Sequence, residues 1–188
     1  MARNLKDQIL ETASRLFYSQ GIKATGVESI VKAAGTTKMT LYKYFASKDD
    51  LVIAFLRKRD EEFTNWFVDQ VNAKADQPKD KLLAIFDVLG EWLEIPEFRG
   101  CAFINASAEF PIENNPVQKI SAEFYEKFRN YIAELAREAG AENPDNLAQQ
   151  LGLIIEGAIV SEQMKRGSGS IVIARQVAEI LIKQTMTR

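Results

Sequence analysis

The apolar residues of the first fifty positions recur at helical spacing in three segments that are separated by turn residues. The first segment, residues 5–20, places its apolar side chains three and four positions apart, which predicts an amphipathic helix. The next two, residues 27–34 and 38–45, are short, and Gly35 between them suits the left-handed conformation common at helix ends. The pattern therefore predicts a three-helix unit whose last two helices are joined by a tight turn.

Capping residues support these helix starts. Thr25 and Glu28 have the spacing of a capping box, in which two side chains satisfy free N–H groups at the beginning of a helix. Thr37 is placed to cap the second short helix. Ser47 and a carboxylate three residues later repeat the capping signal before a long helix that is expected to reach about residue 74.

The helix predicted for residues 38–45 has one apolar side and one solvent-facing side that carries both basic and large apolar side chains. At about 100° per residue, Leu41 and Phe45 face the core, while Met39 and Lys43 point away from it. A helix this short has little reason to be stable alone, but its outward face would suit the major groove of DNA. Two helices joined by a three- to four-residue turn with a glycine are the helix-turn-helix plan, whose second helix contacts base edges.

These segments resemble the DNA-binding domain of the TetR family of transcriptional repressors. The resemblance lies in TGVESI, AAG and KMTLYKYFASKDDL, and it covers about the first 55 residues. It implies an all-helical protein in which residues 1–47 form the helix-turn-helix domain and residues 48–188 form a domain for ligand binding and dimerisation. A merely buried aromatic helix is the alternative, but it leaves Lys38, Lys43 and Lys48 unexplained.

The resemblance also implies which residues meet DNA. Lys38, Met39 and Thr40 correspond to base-contacting positions, where a lysine can bond guanine and a methyl group can touch the methyl of thymine. Phosphate contacts set the register on the duplex and the dependence on salt. The expected phosphate contacts are Thr25, Tyr42, Lys43, Tyr44 and Lys48.

The rest of the chain is expected to be helical as well, with no convincing strand. Segments 74–80, 94–100 and 110–116 contain prolines and break the helical period, so about nine helices are expected in all. Segment 100–111 is nearly uncharged and is therefore expected to be buried. The later helices are expected over residues 116–139, about 144–166 and about 171–186.

The last two helices have apolar faces wide enough for a second chain. One chain could bury half of each face internally and pair the rest with a copy of itself as a four-helix bundle; an intrachain core alone is the alternative. The resemblance implies the same homodimer, whose recognition helices would meet half-sites about 34–36 Å apart, or a multiple, on a palindromic operator. The expected interface residues are Leu151, Ile154, Ile155, Ala158, Ile159, Ile173, Val177, Ile180 and Leu181.

Aromatic residues are dense in the middle helices, and polar residues there are few. A mostly apolar cavity with a few polar groups is typical of a small-molecule pocket, although an aromatic stripe also forms plain core. The resemblance implies a small-molecule effector of unknown identity, and no other cofactor is expected. The candidate pocket residues are Phe63, Trp66, Phe67, Phe86, Trp92, Phe103, Asn105, Glu109, Phe124 and Phe128.

Charge is distributed unevenly along the chain. The net charge is −2, but residues 1–48 contain eight basic and three acidic residues, which gives +5 there and −7 in the remainder. A basic first domain favours phosphate binding, whereas a chance asymmetry of solvated charges is the alternative. No apolar run approaches the roughly 18 residues of a membrane span, and the N-terminus lacks the apolar region of a signal peptide, so a cytoplasmic protein without a membrane partner is expected.

The composition argues against an enzyme. The chain has no histidine, which removes histidine-based triads and most zinc sites, and it contains neither of the common glycine-rich nucleotide motifs. Its one cysteine, Cys101, excludes an intrachain disulfide and is either a small buried hydrophobe or a lone redox sensor. The expected function is a homodimeric DNA-binding regulator, a repressor released by a small, largely apolar effector; the alternative is an architectural DNA-binding protein that needs no effector.

Overall fold

The computed structural model describes residues 4–185, and these residues form helices and turns without a strand. The predicted all-α class with about nine helices is confirmed over this part of the chain, and the helix ends differ from the predicted ones by one or two residues, as is common where helices fray. Residue 186, the predicted end of the last helix, lies outside the described residues. The helices are α1 Leu5–Gln20, α2 Val27–Ala33, α3 Lys38–Tyr44, α4 Lys48–Lys74, α5 Pro78–Glu94, α6 Ala102–Glu109, α7 Pro116–Glu138, α8 Pro144–Met164 and α9 Ser170–Thr185.

The chain divides into two compact units. The head unit contains the described residues up to Glu62 together with Ala102–Ala122, so it includes α1–α3, the first half of α4, α6 and the beginning of α7. The body unit contains Phe63–Cys101 and the described residues from Glu123 onward. The domain boundary between residues 47 and 48, which the family resemblance implies, stays a prediction.

The head unit is built around the three helices that the sequence pattern predicted. Helix α1 contacts α2 and α3, and α2 contacts α3. Leu41 is completely buried and Phe45 is 5% exposed, so the predicted inward side of α3 is confirmed. The rings of Phe17 in α1 and Phe55 in α4 pack with their centroids 5.7 Å apart. Apolar contacts at these sites fix the helices to one another and position α3.

Two of the predicted helix caps are confirmed. The hydroxyl of Thr37 accepts a hydrogen bond from the N–H of Thr40 at 3.2 Å, at the beginning of α3. The hydroxyl of Ser47 accepts one from the N–H of Asp50 at 3.0 Å, just before α4 begins. Each bond satisfies a backbone donor that has no partner within its helix.

The capping box predicted for Thr25 and Glu28 is wrong. Helix α2 begins after Gly26, which provides no side-chain cap. The Thr25 side chain is only 1% exposed, and its hydroxyl turns inward to donate to the carbonyl oxygen of Gly21 at 2.7 Å. Glu28 has no capping role and pairs with Lys38 instead. The spacing alone could not distinguish these alternatives, because the same threonine can serve a cap or a turn.

In the body unit, α9 packs against both α8 and α5, and the turn between α8 and α9 is organised by a buried carboxylate. Glu162 is 8% exposed and accepts hydrogen bonds from the N–H groups of Gly167 at 2.6 Å and Ser168 at 3.0 Å. The hydroxyl of Ser168 donates a third bond at 2.7 Å. Burial by itself would raise the pKa of Glu162, but these three bonds and the nearby charge of Arg166 outweigh it and lower the pKa.

We expect Glu162→Gln to reduce the free energy of unfolding by about 1.5–3 kcal/mol at pH 7, because it removes hydrogen bonds to a charged acceptor. A carboxylate with a lowered pKa contributes stability above its unfolded pKa, about 4.5, and loses it as pH falls through the folded value. The difference between the two proteins in urea unfolding should therefore be full at pH 7 and shrink below about pH 4.5.

The control for this substitution is Glu97→Gln, which changes an exposed glutamate of the same unit. Its effect should stay within about 0.5 kcal/mol at either pH, as is usual for surface substitutions. An equally large deficit of Glu162→Gln at pH 7 and well below pH 4 would contradict the role of the charge.

Candidate nucleic-acid interface

The outward side of α3 forms a continuous solvent-facing surface. Met39 is 83% exposed and Tyr42 is 45% exposed, so two large side chains with much apolar surface face solvent here. Lys38 and Lys43 are exposed beside them, and Thr40 is partly exposed. The structure therefore brings five predicted DNA-contacting residues together, and we call this set the recognition face.

The turn before α3 fixes the angle at which that helix leaves α2. Gly35 has a φ of +62°, which a residue with a side chain rarely adopts. The N–H of Thr36 reaches back to the carbonyl oxygen of Val31 at 2.9 Å and closes the end of α2. Two short helices meeting at a glycine turn, with one side of the second helix exposed to solvent, are the helix-turn-helix arrangement.

An ion pair crosses from α2 to the recognition face. The ammonium of Lys38 donates to a carboxylate oxygen of Glu28 at 2.6 Å, with both side chains largely exposed. The hydrogen bond and the attraction between the charges raise the pKa of Lys38 and lower the pKa of Glu28. A base edge or a phosphate must therefore compete with Glu28 for this lysine, which was not predicted because the sequence pattern had placed Glu28 in a cap.

We expect Glu28→Gln to strengthen binding to any DNA duplex by a few-fold, because it removes a negative charge beside the recognition face and frees Lys38. The gain should be larger at low salt than at high salt, since it is electrostatic. The dissociation constants of specific and scrambled duplexes at two salt concentrations measure it. Glu61→Gln, an exposed acid of α4 in the same unit, is the matched control, and unchanged or weaker binding to scrambled DNA by Glu28→Gln would contradict the expectation.

Two of the predicted phosphate contacts have structural roles in the head unit. The Thr25 hydroxyl is buried and bonded to Gly21, so in this conformation its side chain offers no surface to a phosphate. The ammonium of Lys48 donates to the carbonyl oxygen of Ile22 at 2.7 Å and lies 5.9 Å from the centre of the Phe17 ring. Loop contacts of this kind follow no periodic pattern, so they could not be predicted from spacing. Tyr44, the remaining predicted contact outside the recognition face, is partly exposed.

The aromatic residues predicted to line a pocket fall into both units. In the body unit, the ring of Phe63 lies 5.3 Å from that of Trp92, 5.6 Å from Trp66 and 6.0 Å from Phe124, centroid to centroid. The ring of Phe67 lies 5.7 Å from Phe63 and 5.2 Å from Phe128. These six rings form a cluster, which we call the aromatic cluster: Phe63, Trp66, Phe67, Trp92, Phe124 and Phe128.

One polar atom beside this cluster lacks a partner. The hydroxyl of Tyr131 is buried and makes no hydrogen bond within the described part of the chain, and its ring lies 6.1 Å from that of Phe67. Burial, with a smaller contribution from Glu138, raises the pKa of Tyr131. This residue was not among the predicted pocket residues, because only Phe and Trp were counted as its aromatic lining. Phe86, by contrast, is 1% exposed in α5 and belongs to the core.

The other predicted pocket residues lie in the head unit. Phe103 is 4% exposed in α6. Asn105 and Glu109 lie one turn apart, as predicted, and both line a cavity of about 300 Å³ in this unit, together with Phe17 and Phe55. The structure thus brings Asn105 and Glu109 together, but on a head-unit cavity.

The residues predicted for the dimer interface divide by exposure. Four of them on α8 are at most 6% exposed within the single chain, so they form its core and leave no surface for a second chain: Leu151, Ile155, Ala158 and Ile159. On α9, by contrast, Ile173 is 60% exposed, Ile180 56% and Val177 39%, as an interface would require. Ile154 and Leu181 are partly exposed.

An exposed stripe on α8 accompanies the three α9 residues. Leu153 is 69% exposed and Met164 is 78% exposed, and Gly157 and Val160 lie between them at helical spacing. The sequence had predicted the dimer interface on the opposite side of α8. Both sides of this helix are apolar, and only the packing of α5 and α9 decides which one is covered. We call Leu153, Gly157, Val160, Met164, Ile173, Val177 and Ile180 the apolar stripe.

Metal-binding groups and helices that could span a membrane are both absent from the described residues. No group of three or more histidine, cysteine, aspartate or glutamate side chains is arranged to bind a metal ion within residues 4–185. Over the same range, none of the helices combines the length and the apolar character that crossing a membrane requires.

The fold and the recognition face define a helix-turn-helix DNA-binding protein. Comparison with protein families extends this: residues 9–55 match the model for bacterial regulatory proteins of the tetR family, and residues 78–178 match the tetracyclin repressor-like C-terminal domain. The chain belongs to the TetR family. It is a DNA-binding transcriptional regulator and not an enzyme.

Similar proteins support membership of the TetR family. The HTH-type transcriptional regulator YjdC of Escherichia coli (strain K12) is 21% identical over 178 residues, which cover 95% of this chain and 93% of that protein. The HTH-type transcriptional repressor KstR2 of Mycolicibacterium smegmatis is 33% identical over 92 residues, covering 47% and 43%. The crystal structure of SCO4454, a TetR-family transcriptional regulator from Streptomyces coelicolor, has a TM-score of 0.88 at 26% identity and covers 97% of this chain and 96% of that one.

Proposed function

We propose that this protein is a homodimeric repressor that binds a palindromic operator and is released from it by a small, largely apolar effector. The recognition face carries the proposal. A seven-residue helix that exposes Met39 and Tyr42 between two lysines gains nothing from those side chains in water, whereas in a major groove they meet base edges and phosphates.

The roles at the DNA follow from the position of each side chain. Lys38, Met39 and Thr40 belong to the first turn of α3, the part of a recognition helix that contacts bases. We assign phosphate contacts to Tyr42, Lys43 and Tyr44 along the rest of the helix, and to Lys48 at the start of α4. The buried hydroxyl of Thr25 supports the loop before α2.

The apolar stripe supports a homodimer. Five large apolar side chains on α8 and α9 are between 39% and 78% exposed, and Gly157 has no neighbouring atom within 4 Å of where a Cβ would lie. Exposed apolar surface gathered on two adjacent helices marks an interaction site more often than plain surface. A second copy of the same stripe would cover it with two-fold symmetry, in line with a palindromic operator.

The aromatic cluster supports an effector of mainly apolar character. Ring faces and edges provide dispersion contacts for an apolar or aromatic molecule, and the unpartnered Tyr131 hydroxyl can satisfy one polar group on it. Such a molecule releases DNA only if it binds more tightly to a conformation that cannot hold the operator than to the one that can. A complete switch needs about a 10⁴-fold preference between these two conformations. Helix α4 contributes residues to both units and is the element we expect to transmit the change.

The deciding experiment is binding of the purified protein to the DNA upstream of its own gene and to a scrambled duplex, at two salt concentrations. We expect a preference of about 10³-fold or more for one palindromic site, with two chains bound per site. Small apolar aromatic molecules can then be screened for release of that complex. A steep dependence on salt without any sequence preference would favour the architectural alternative, and a complex that no apolar molecule releases would contradict the effector.

A further inference from the structure

The carboxylate of Glu109, the last residue of α6, is bonded to the loop that leads from α1 to α2. One oxygen, Oε1, accepts a hydrogen bond from the N–H of Ile22 at 2.9 Å, and Oε2 accepts one from the N–H of Lys23 at 2.6 Å. All three residues belong to the head unit. Bonds from two successive backbone donors to one carboxylate are charge-assisted and directional, so they define the position of the loop relative to α6.

The same loop is bonded from its other side as well. The ammonium of Lys48, the first residue of α4, donates to the carbonyl oxygen of Ile22 at 2.7 Å. Residue Ile22 therefore has its N–H bonded to α6 and its C=O bonded to α4. Gly21 has a φ of +92°, and a Cβ built there would lie 3.4 Å from Oε1 of Glu109, so a glycine lets the carboxylate approach closely.

The apolar packing next to this link is incomplete. The cavity of about 300 Å³ in the head unit lies among Phe17 and Tyr18 of α1, Phe55 of α4 and Asn105 of α6. Glu109 itself lines the cavity. Beside this cavity, the loop and the end of α6 are joined by the two hydrogen bonds of Glu109 and by the ammonium of Lys23, which lies 5.4 Å from the centre of the Phe110 ring.

The loop matters for DNA because it leads directly into α2. Only three residues separate Lys23 from the first residue of α2, and α3 packs on α2. A displacement of the loop would therefore move α2 and, with it, the recognition face. Base contacts are sensitive to such a displacement, whereas long, flexible lysine side chains can still reach phosphates.

We propose that Glu109 is a positioning residue for operator binding, which fixes the α1–α2 loop and thereby the placement of α2 and α3 without touching DNA. The operator part of this inference rests on the proposed function. From the sequence, Glu109 was predicted to line the effector pocket, because nothing in the linear pattern relates residue 109 to residues 22 and 23.

The positioning role and a simple charge effect predict opposite changes in DNA affinity for Glu109→Gln. Removing a negative charge from a DNA-binding unit strengthens its attraction to phosphates, so electrostatics alone makes Glu109→Gln bind DNA more tightly. The positioning role makes it bind the operator more weakly, since the amide retains one acceptor oxygen and turns an N–H₂ group toward the second backbone donor. Glu113→Gln is the matched control, because it makes the same charge change at an exposed residue of the same unit.

The test measures the binding of both variants to the operator and to a scrambled duplex, together with amide hydrogen exchange at Ile22 and Lys23. For Glu109→Gln we expect the dissociation constant of the operator to rise about tenfold, that of the scrambled duplex to stay within about twofold, and both amides to exchange about tenfold faster. Glu113→Gln should stay within about twofold in every measurement. Glu109→Asp, which keeps the charge on a shorter side chain, should fall between the wild type and Glu109→Gln.

Several results would overturn the proposal. Unchanged exchange at Ile22 and Lys23 would show that the link does not fix the loop, whatever the DNA results. Unchanged operator affinity, or an equal loss on both duplexes, would reduce Glu109 to a structural residue. A wild-type protein with no preference for any operator would reject the proposed function, and the exchange rates, which need no DNA, would then separate that failure from a failure of the link.

Discussion

Ile173→Glu is expected to convert the protein into monomers and to weaken operator binding by about 10²–10⁴-fold. The side chain is 60% exposed in the single chain, so the substitution disturbs little buried surface within one chain. In a dimer built on the apolar stripe, the same position would bury a glutamate in an apolar interface, and an unpaired buried charge is very costly. Once the chains separate, each half-site must be bound without the effective concentration that a linked partner supplies.

Sedimentation and a DNA titration measure the two consequences of Ile173→Glu. The matched control is Ile112→Glu, which makes the same change at an isoleucine that is 72% exposed in the head unit. Both variants add one negative charge, and only Ile173→Glu should change the mass. A variant that keeps the mass of the wild-type assembly would contradict an interface at the apolar stripe.

The double substitution Lys38→Ala with Met39→Ala is expected to weaken operator binding by about a hundredfold, but binding to scrambled DNA by only a few-fold. Both side chains are exposed, and alanine favours helix, so α3 should remain intact. The substitution removes two base-contacting groups at the beginning of α3, while the loss of the lysine charge affects every duplex alike. The ratio of the dissociation constants for scrambled DNA and for the operator measures how much sequence specificity the double variant loses.

Lys43→Ala provides the comparison. A lysine that contacts phosphate should weaken binding to the operator and to scrambled DNA by similar factors and reduce the slope of log affinity against log salt by about one. The cap of α3, the bond from the N–H of Thr40 to Thr37, is unaffected in either variant, and circular dichroism can verify that the helices persist. Equal losses of the double variant on both duplexes would mean that Lys38 and Met39 do not read sequence.

Much of the fold could be predicted because it depends on neighbours along the chain. The period of apolar residues located the helices, and local caps such as Thr37 and Ser47 marked their starts. The exposed side of α3 was predictable for the same reason, since Leu41 and Phe45 fix one face and leave Met39 on the other. The family could be recognised because its recognition helix and turn are contiguous in sequence.

The candidate sites were less predictable, because their residues come from distant parts of the chain. Both sides of α8 are apolar, so the sequence could not tell that Leu151 would be covered by the chain itself while Leu153 would remain 69% exposed. Aromatic spacing did not separate the cluster around Phe63 from Phe103 in the head unit.

The all-helical class, the helix-turn-helix and the composition of the recognition face follow from the sequence alone, since each rests on interactions within a few residues of one another. The hydrogen-bond donors that each carboxylate meets depend on the tertiary packing. Glu28 pairs with Lys38 and not with the helix start where a cap was predicted, and Glu109 bonds to residues 22 and 23, more than eighty positions away. A carboxylate accepts hydrogen bonds from any donor that the fold brings within about 3 Å, so its partner depends on packing and not on spacing along the chain.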